Sequence, residues 1–152
     1  MVALFLFMLA AGCWLGGMIF FAFCTAPVIF SRLPIVEAGR VIAGIFPLYY
    51  DLAYVAGPVS IAMACYLAMT RHARGWWVAT AILLAGALGL MVYAGAVVGP
   101  KVDAVRTVVE EANPDPARKA RFDALHRQSV ELNAGAMVLE VLALLSAAVA
   151  LM

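Results

Sequence analysis

Residues Val2 to Phe30 read VALFLFMLAAGCWLGGMIFFAFCTAPVIF, a run without one charged side chain. A helix crosses a hydrocarbon core about 30 Å thick with about 20 apolar residues, and this run exceeds that requirement. It has no basic leading segment and is far longer than the roughly 7–15 apolar residues of a signal peptide. We therefore read it as a retained membrane span, which Pro27 ends or kinks because its ring removes a backbone donor.

The rest of the chain repeats the pattern. Further apolar spans are expected at about 44–70, 76–98 and 129–151. Of the 152 residues 66% are hydrophobic and 12% charged, against roughly 45–50% apolar in a soluble domain. Mean hydropathy is +1.02. The sequence predicts an all-α, integral membrane four-helix bundle in a single domain covering 1–152. A separate soluble catalytic domain has no residues left to build it.

The connections follow from the polar interruptions. Ser31 to Arg40 form the first, and the apolar stretch from Val41 to Thr70 is longer than one span needs. Its first turns, with Ile45, Phe46 and Pro47, are expected along the interface before entry at Tyr49 and Tyr50, since tyrosine suits headgroup depth. Arg71, His72, Arg74 and Gly75 make a tight turn, Trp76 and Trp77 read as an interfacial belt, and the third span closes at Gly99 and Pro100. From Lys101 to about Gln128 the chain is polar, with Val102, Val105, Val108 and Val109 at helical spacing. This is the amphipathic connection between helices 3 and 4, broken by Asn113-Pro114-Asp115-Pro116. A helical pattern then runs from Ala117 to Met152, about 54 Å long, so its first turns project from the bilayer.

Small residues suggest how the helices meet. Gly12, Gly16 and Gly17, and Gly86, Gly89, Gly95 and Gly99, offer close backbone approach in lipid, which puts the third helix at the centre. Packing within one bundle is favoured over dimerisation for the first set, with a homo-oligomer as the alternative. Cys13, Cys24 and Cys65 lie in apolar stretches without C-x-x-C spacing, so no disulfide framework is indicated, and they are expected to be buried small hydrophobes, with a thiolate metal ligand as the alternative.

The formal charge of +1 provides no broad basic surface, which excludes nucleic acid as a partner and leaves the lipid bilayer. Both termini and the 71–75 turn share one side with Arg71 and Arg74. The opposite side carries Arg32, Arg40, Lys101, Arg106, Arg118, Lys119, Arg121 and Arg127. The excess of positive charge on cytoplasmic loops then predicts both termini outside the cytoplasm, in a bacterium across the inner membrane.

Ionisable groups at membrane depth are costly and face the bundle interior, so each is a candidate functional residue. On the last helix His126, Asn133 and Glu140 are seven residues apart and drift only about 20° per step, making one polar line. His126 and Glu140 are about 21 Å apart along the axis, too far for one metal ion. They would form a relay or bracket an elongated ligand. His126 is the candidate metal or haem ligand, weighed against an interfacial histidine bonded to a neighbouring connection, and Asp123 is placed to orient it. Glu140, well inside a span, must be protonated or paired. Asp51 follows Tyr49 and Tyr50 at or just inside the interface, with Asn133, Arg40 and Arg127 as candidate partners. No nucleotide loop, nucleophile elbow or H-E-x-x-H motif occurs, and the chain is expected not to be an enzyme.

Three phrases carry a resemblance: APVIF at 26–30, EAGRVIAGIFPLYYDL at 37–52 and FDALHRQSVELN at 122–133. With them the chain resembles the small four-helix membrane proteins named after animal transmembrane protein 205, over nearly its whole length. The matched positions are Pro27, Phe30, Ala38, Gly39, Gly44, Phe46, Pro47, Tyr49 and Tyr50, then His126, Ser129 and Asn133. The resemblance implies a shared purpose for His126 and Asn133; bacterial members are mostly of unknown function, and animal ones are associated with drug resistance. More distantly the architecture is similar to copper-resistance D-like membrane proteins and to the four-helix haem-dependent protoporphyrinogen oxidase. That similarity points to haem or copper, although the histidine-rich first span of such sites is missing here.

The expected function is a non-enzymatic membrane protein that binds a small ligand or metal through Tyr49, Tyr50, Asp51, His126, Asn133 and Glu140, linked to resistance or export. A haem-dependent oxidoreductase and a scaffold or partner subunit of a membrane complex are the alternatives.

Overall fold

The computed structural model describes residues 1–107 and 115–152. Four long helices account for almost all of them: α1 (Val2–Arg32), α2 (Ile35–Thr70), α3 (Arg74–Val105) and α4 (Pro116–Ala150). Each is long and apolar enough to cross a membrane, and the chain is a multi-pass membrane protein with an all-α bundle. No strand occurs among the described residues.

The helices are longer than the apolar runs because polar ends extend them. Only Leu33 and Pro34 separate α1 from α2, not the ten residues expected, since Pro34 caps α2 with its carbonyl accepting from the Ala38 amide at 2.9 Å. α2 then runs unbroken through Tyr49 and Tyr50, past Pro47 and Pro58 inside it. No turn along the interface precedes it. The Asp115 carboxylate caps α4 by accepting from the Arg118 amide at 3.1 Å, an N-cap that satisfies one orphan donor of the first turn.

α1 and α3 each widen by one π-helical stretch, at Phe21–Thr25 and Ala94–Val98. In both, the amide just after the stretch reaches back five residues: Ala26 donates to the Phe21 carbonyl and Gly99 to the Ala94 carbonyl. Pro27 and Pro100 follow immediately. A proline inside a helix lacks the donor for the carbonyl four residues back and crowds it; a wider turn just before the ring relieves that crowding. α3 therefore does not close at Gly99 and Pro100 but continues to Val105 and packs on α4. Its last turns keep the expected amphipathic character, with Val102 and Val105 half-buried and Lys101 and Asp103 exposed. Val108, Val109, Asn113 and Pro114 lie outside the described residues.

α3 is central, as its glycines suggested, with α2 on one side and α4 on the other, while α1 packs on α2. The seam between α1 and α4 is far shorter. Alanines at Ala53, Ala56, Ala64, Ala87, Ala136 and Ala143 are buried at the contacts, letting backbones approach where lipid provides no hydrophobic drive between helices. Larger side chains fill the remainder, chiefly Phe7, Trp14, Met18, Trp77, Leu84 and Met91.

Three expectations about these helices are corrected. Gly12 and Gly16 open outward with nothing near them, and only Gly17 packs, against Leu52. Cys13, Cys24 and Cys65 are exposed on the outer surface instead of buried. Of the tryptophan pair only Trp76 faces outward; Trp77 is wholly buried, edge-on to Phe7 with ring centroids 5.4 Å apart. Adjacent helical positions point about 100° apart, so a pair cannot share one belt when the second meets a neighbouring helix.

Candidate functional site

Met1, the turn at 71–75 and Met152 mark one end of the bundle. From that end about 20 residues of each helix cross the hydrocarbon, which brings the far boundary to about residues 21, 50, 96 and 132. The polar and aromatic residues of interest gather there.

Asn133 on α4 is the hub. The Tyr49 hydroxyl donates to its Oδ1 at 2.9 Å, while its Nδ2 donates to the Ser129 carbonyl at 2.8 Å and to the Tyr50 hydroxyl at 3.4 Å. A single amide thus ties α4 to α2 through two consecutive tyrosines. Those tyrosines belong to a ring cluster: Phe21 of α1 lies 4.9 Å from Tyr49, Phe46 lies 5.8 Å from Tyr50 and Tyr54 6.2 Å from Tyr50. Offset and tilted pairs at these separations are favourable for aromatic quadrupoles.

The two π-helical turns flank this cluster. Phe21 opens the one in α1. In the other, Gly95 gives Tyr50 and Tyr54 room against the α3 backbone: a Cβ there would overlap the Tyr54 hydroxyl and sit 3.0 Å from the Tyr50 ring. Only glycine allows two rings to lie on the helix at this point.

Glu140 is two turns deeper, about 10 Å along α4 from Asn133 and about 12 Å inside the boundary. It is wholly buried, and it is the only charged residue buried among the described residues. Neither carboxylate oxygen has a hydrogen-bond partner; the Leu15 backbone of α1 approaches without completing a bond, and the Tyr49 hydroxyl lies within electrostatic range. Other buried hydroxyls are satisfied: Ser60 donates to the Ala56 carbonyl at 2.8 Å, Thr80 to the Trp76 carbonyl at 2.9 Å, and Ser146 to that same carbonyl at 2.9 Å.

Four of the six expected residues, Tyr49, Tyr50, Asn133 and Glu140, therefore share the interior. Asp51 and His126 do not. Asp51 is exposed on the outer face of α2, and Asn133 spends its amide on the tyrosines. His126 is exposed with its ring stacked on Phe122 at 5.9 Å, and Asp123, expected to orient it, is paired with Lys119 at 2.9 Å. Helical spacing aligned His126 with Asn133, but α4 outruns the bundle's packed part at its N-terminal end. Sequence reading missed Phe21 and Tyr54; the spacing of Tyr50 and Tyr54, one turn apart on α2, was the signal available for the second.

The described side chains do not gather a copper site, and His126, the expected haem ligand, lies exposed outside the interior cluster. No group of three His, Cys, Asp or Glu able to hold a metal occurs among the described residues, and the thiols face outward.

No curated protein and no solved structure matches the chain. A family model described as a domain of unknown function, DUF4149, matches residues 9–110, which takes in Tyr49, Tyr50 and Gly95 and leaves Asn133 and Glu140 outside. With two thirds of its length matched, the chain belongs to the DUF4149 family.

Proposed function

We propose that the chain binds a small ligand inside its bundle, with Tyr49, Tyr50 and Asn133 at the mouth and Glu140 beneath them, in a role linked to resistance or export. One observation carries this reading. Glu140 is buried without a partner, and an unpaired carboxylate is retained at membrane depth for function, not stability. A protein using the bundle only as a scaffold has no need of it.

Ligand binding is tested by the thermal stability of detergent-purified protein against a panel of small cationic, neutral and anionic aromatics. A compound that raises the melting temperature of wild type, and raises it much less in Asn133→Ala, is the expected result. A flat response across the panel overturns the reading. An absorption spectrum and elemental analysis of the same preparation test the haem alternative, which a Soret band or stoichiometric metal would restore.

The proposed orientation has both termini outside the cytoplasm, because the site's end of the bundle carries most of the basic residues. With the native cysteines replaced, His72→Cys should react with a membrane-impermeant maleimide on intact cells, and Lys101→Cys only after permeabilisation. The reverse pattern would invert the topology.

A further inference from the structure

Resting on that reading, we infer that the ligand is a monovalent organic cation, taken up in exchange for a proton held by the Glu140 carboxyl. A buried ionised carboxylate without partners is expensive enough that the group neutralises itself, so the empty site holds Glu140 as the acid. A ligand that enters must either leave that proton in place or replace it.

The surroundings favour replacement by one positive charge. The Leu15 backbone of α1 approaches the carboxyl, the Tyr49 hydroxyl of α2 lies within electrostatic range of it, and α3 adds no buried ionisable group among the described residues. Among the described residues no Lys, Arg or His is buried there to neutralise it from within, and no second carboxylate raises the charge to two. A divalent metal would need further ligands that are not gathered here. The rings of Phe21, Phe46, Tyr49 and Tyr50 cluster at the far boundary, on that side of the acid, and aromatic faces attract ammonium groups, quaternary ones included. Glu140 lies on the short α1–α4 seam, and the π-helical turns nearer the far boundary carry the altered backbone bonding that commonly marks functional sites.

The exchange balances as one cation bound and one proton released: the O–H bond of the carboxyl breaks, the proton leaves to water and the carboxylate pairs with the cation. Affinity must then rise with pH, by about tenfold per unit, as long as the empty site is protonated.

Titration calorimetry of the purified full chain with benzyltrimethylammonium, in buffers of different ionisation enthalpy, counts the protons. About one proton released per cation, with the pH dependence above, is expected. Glu140→Gln should abolish the pH dependence and weaken binding at least tenfold, Glu140→Asp should preserve proton release, and Asn133→Ala should weaken binding while leaving the proton count unchanged. Neopentylbenzene, the neutral carbon analogue, separates the two levels of the argument. If it stabilises the protein and the cation does not, or if the cation binds without releasing a proton, the exchange is wrong and the ligand site stands. If neither binds, both fall.

Discussion

The two ends of the bundle solve the same packing problem differently. Toward the termini, Phe7, Trp77, Ala64 and Ala147 are buried, with Trp77 edge-on to Phe7, and the hydroxyls of Thr80 and Ser146 both end on one backbone carbonyl, that of Trp76. Toward the far boundary, rings pack on rings, two helices widen at π-helical turns, and side chains of α2 and α4 bond directly to each other. The first end holds these two hydroxyls on backbone that has nowhere else to go. The second uses side chains that can exchange partners, beside the two turns where the helical ladder is altered. The proposed binding site lies at the second end for that reason.

The sharpest way to break this contrast is to remove the anchor of the packed end. Trp77→Ala empties a wholly buried site, and large-to-small changes of this kind cost about 3–5 kcal/mol. Denaturation in mixed micelles should register that loss, with ligand response retained at temperatures where the variant is folded. If Trp77→Ala is nearly neutral, the packed end is not what holds the bundle.

The site end is tested next by filling its one obligatory gap. Gly95→Ala pushes a methyl into the Tyr54 hydroxyl and the Tyr50 ring, overpacking that costs about 1–3 kcal/mol. Gly16→Ala, by contrast, meets open space and should be neutral or stabilising by up to about 1 kcal/mol, because alanine is the better helix former. Equal effects at the two positions would mean that the ring cluster adapts freely and that Gly95 is not needed for it.

How much of this the sequence reveals depends on what each inference rests on. Four helices and one bundle follow from run length alone, because hydrocarbon thickness fixes how many apolar residues a span needs. The central place expected of α3 holds, although of its glycines only Gly86 and Gly95 meet a neighbouring helix. What periodicity along one helix cannot supply is the neighbour across the gap. It aligned His126 with Asn133 and Glu140 but could not show that α4 is exposed at the first of these, and it could not tell that Asp51 and Tyr50, adjacent in the chain, point away from and into the bundle. Helix ends were misplaced for a related reason: Pro27 and Pro100 look like terminators, yet a single wider turn before each lets the helix continue.

The smallest effect separates the two tyrosines. Tyr49 donates to Asn133 at 2.9 Å, whereas Tyr50 receives from it at 3.4 Å, near the limit for a hydrogen bond. Interhelical hydrogen bonds in membranes average about 0.6 kcal/mol, because the separated helices find other partners. Tyr49→Phe should therefore destabilise by about that much, and Tyr50→Phe by less, since its ring stays stacked between Phe46 and Tyr54. In double-mutant cycles with Asn133→Ala, Tyr49→Phe should show the larger coupling energy and Tyr50→Phe little. The opposite ranking would make Tyr50 the residue that holds α4 to α2, and the mouth of the site would then centre on the inner ring of the pair.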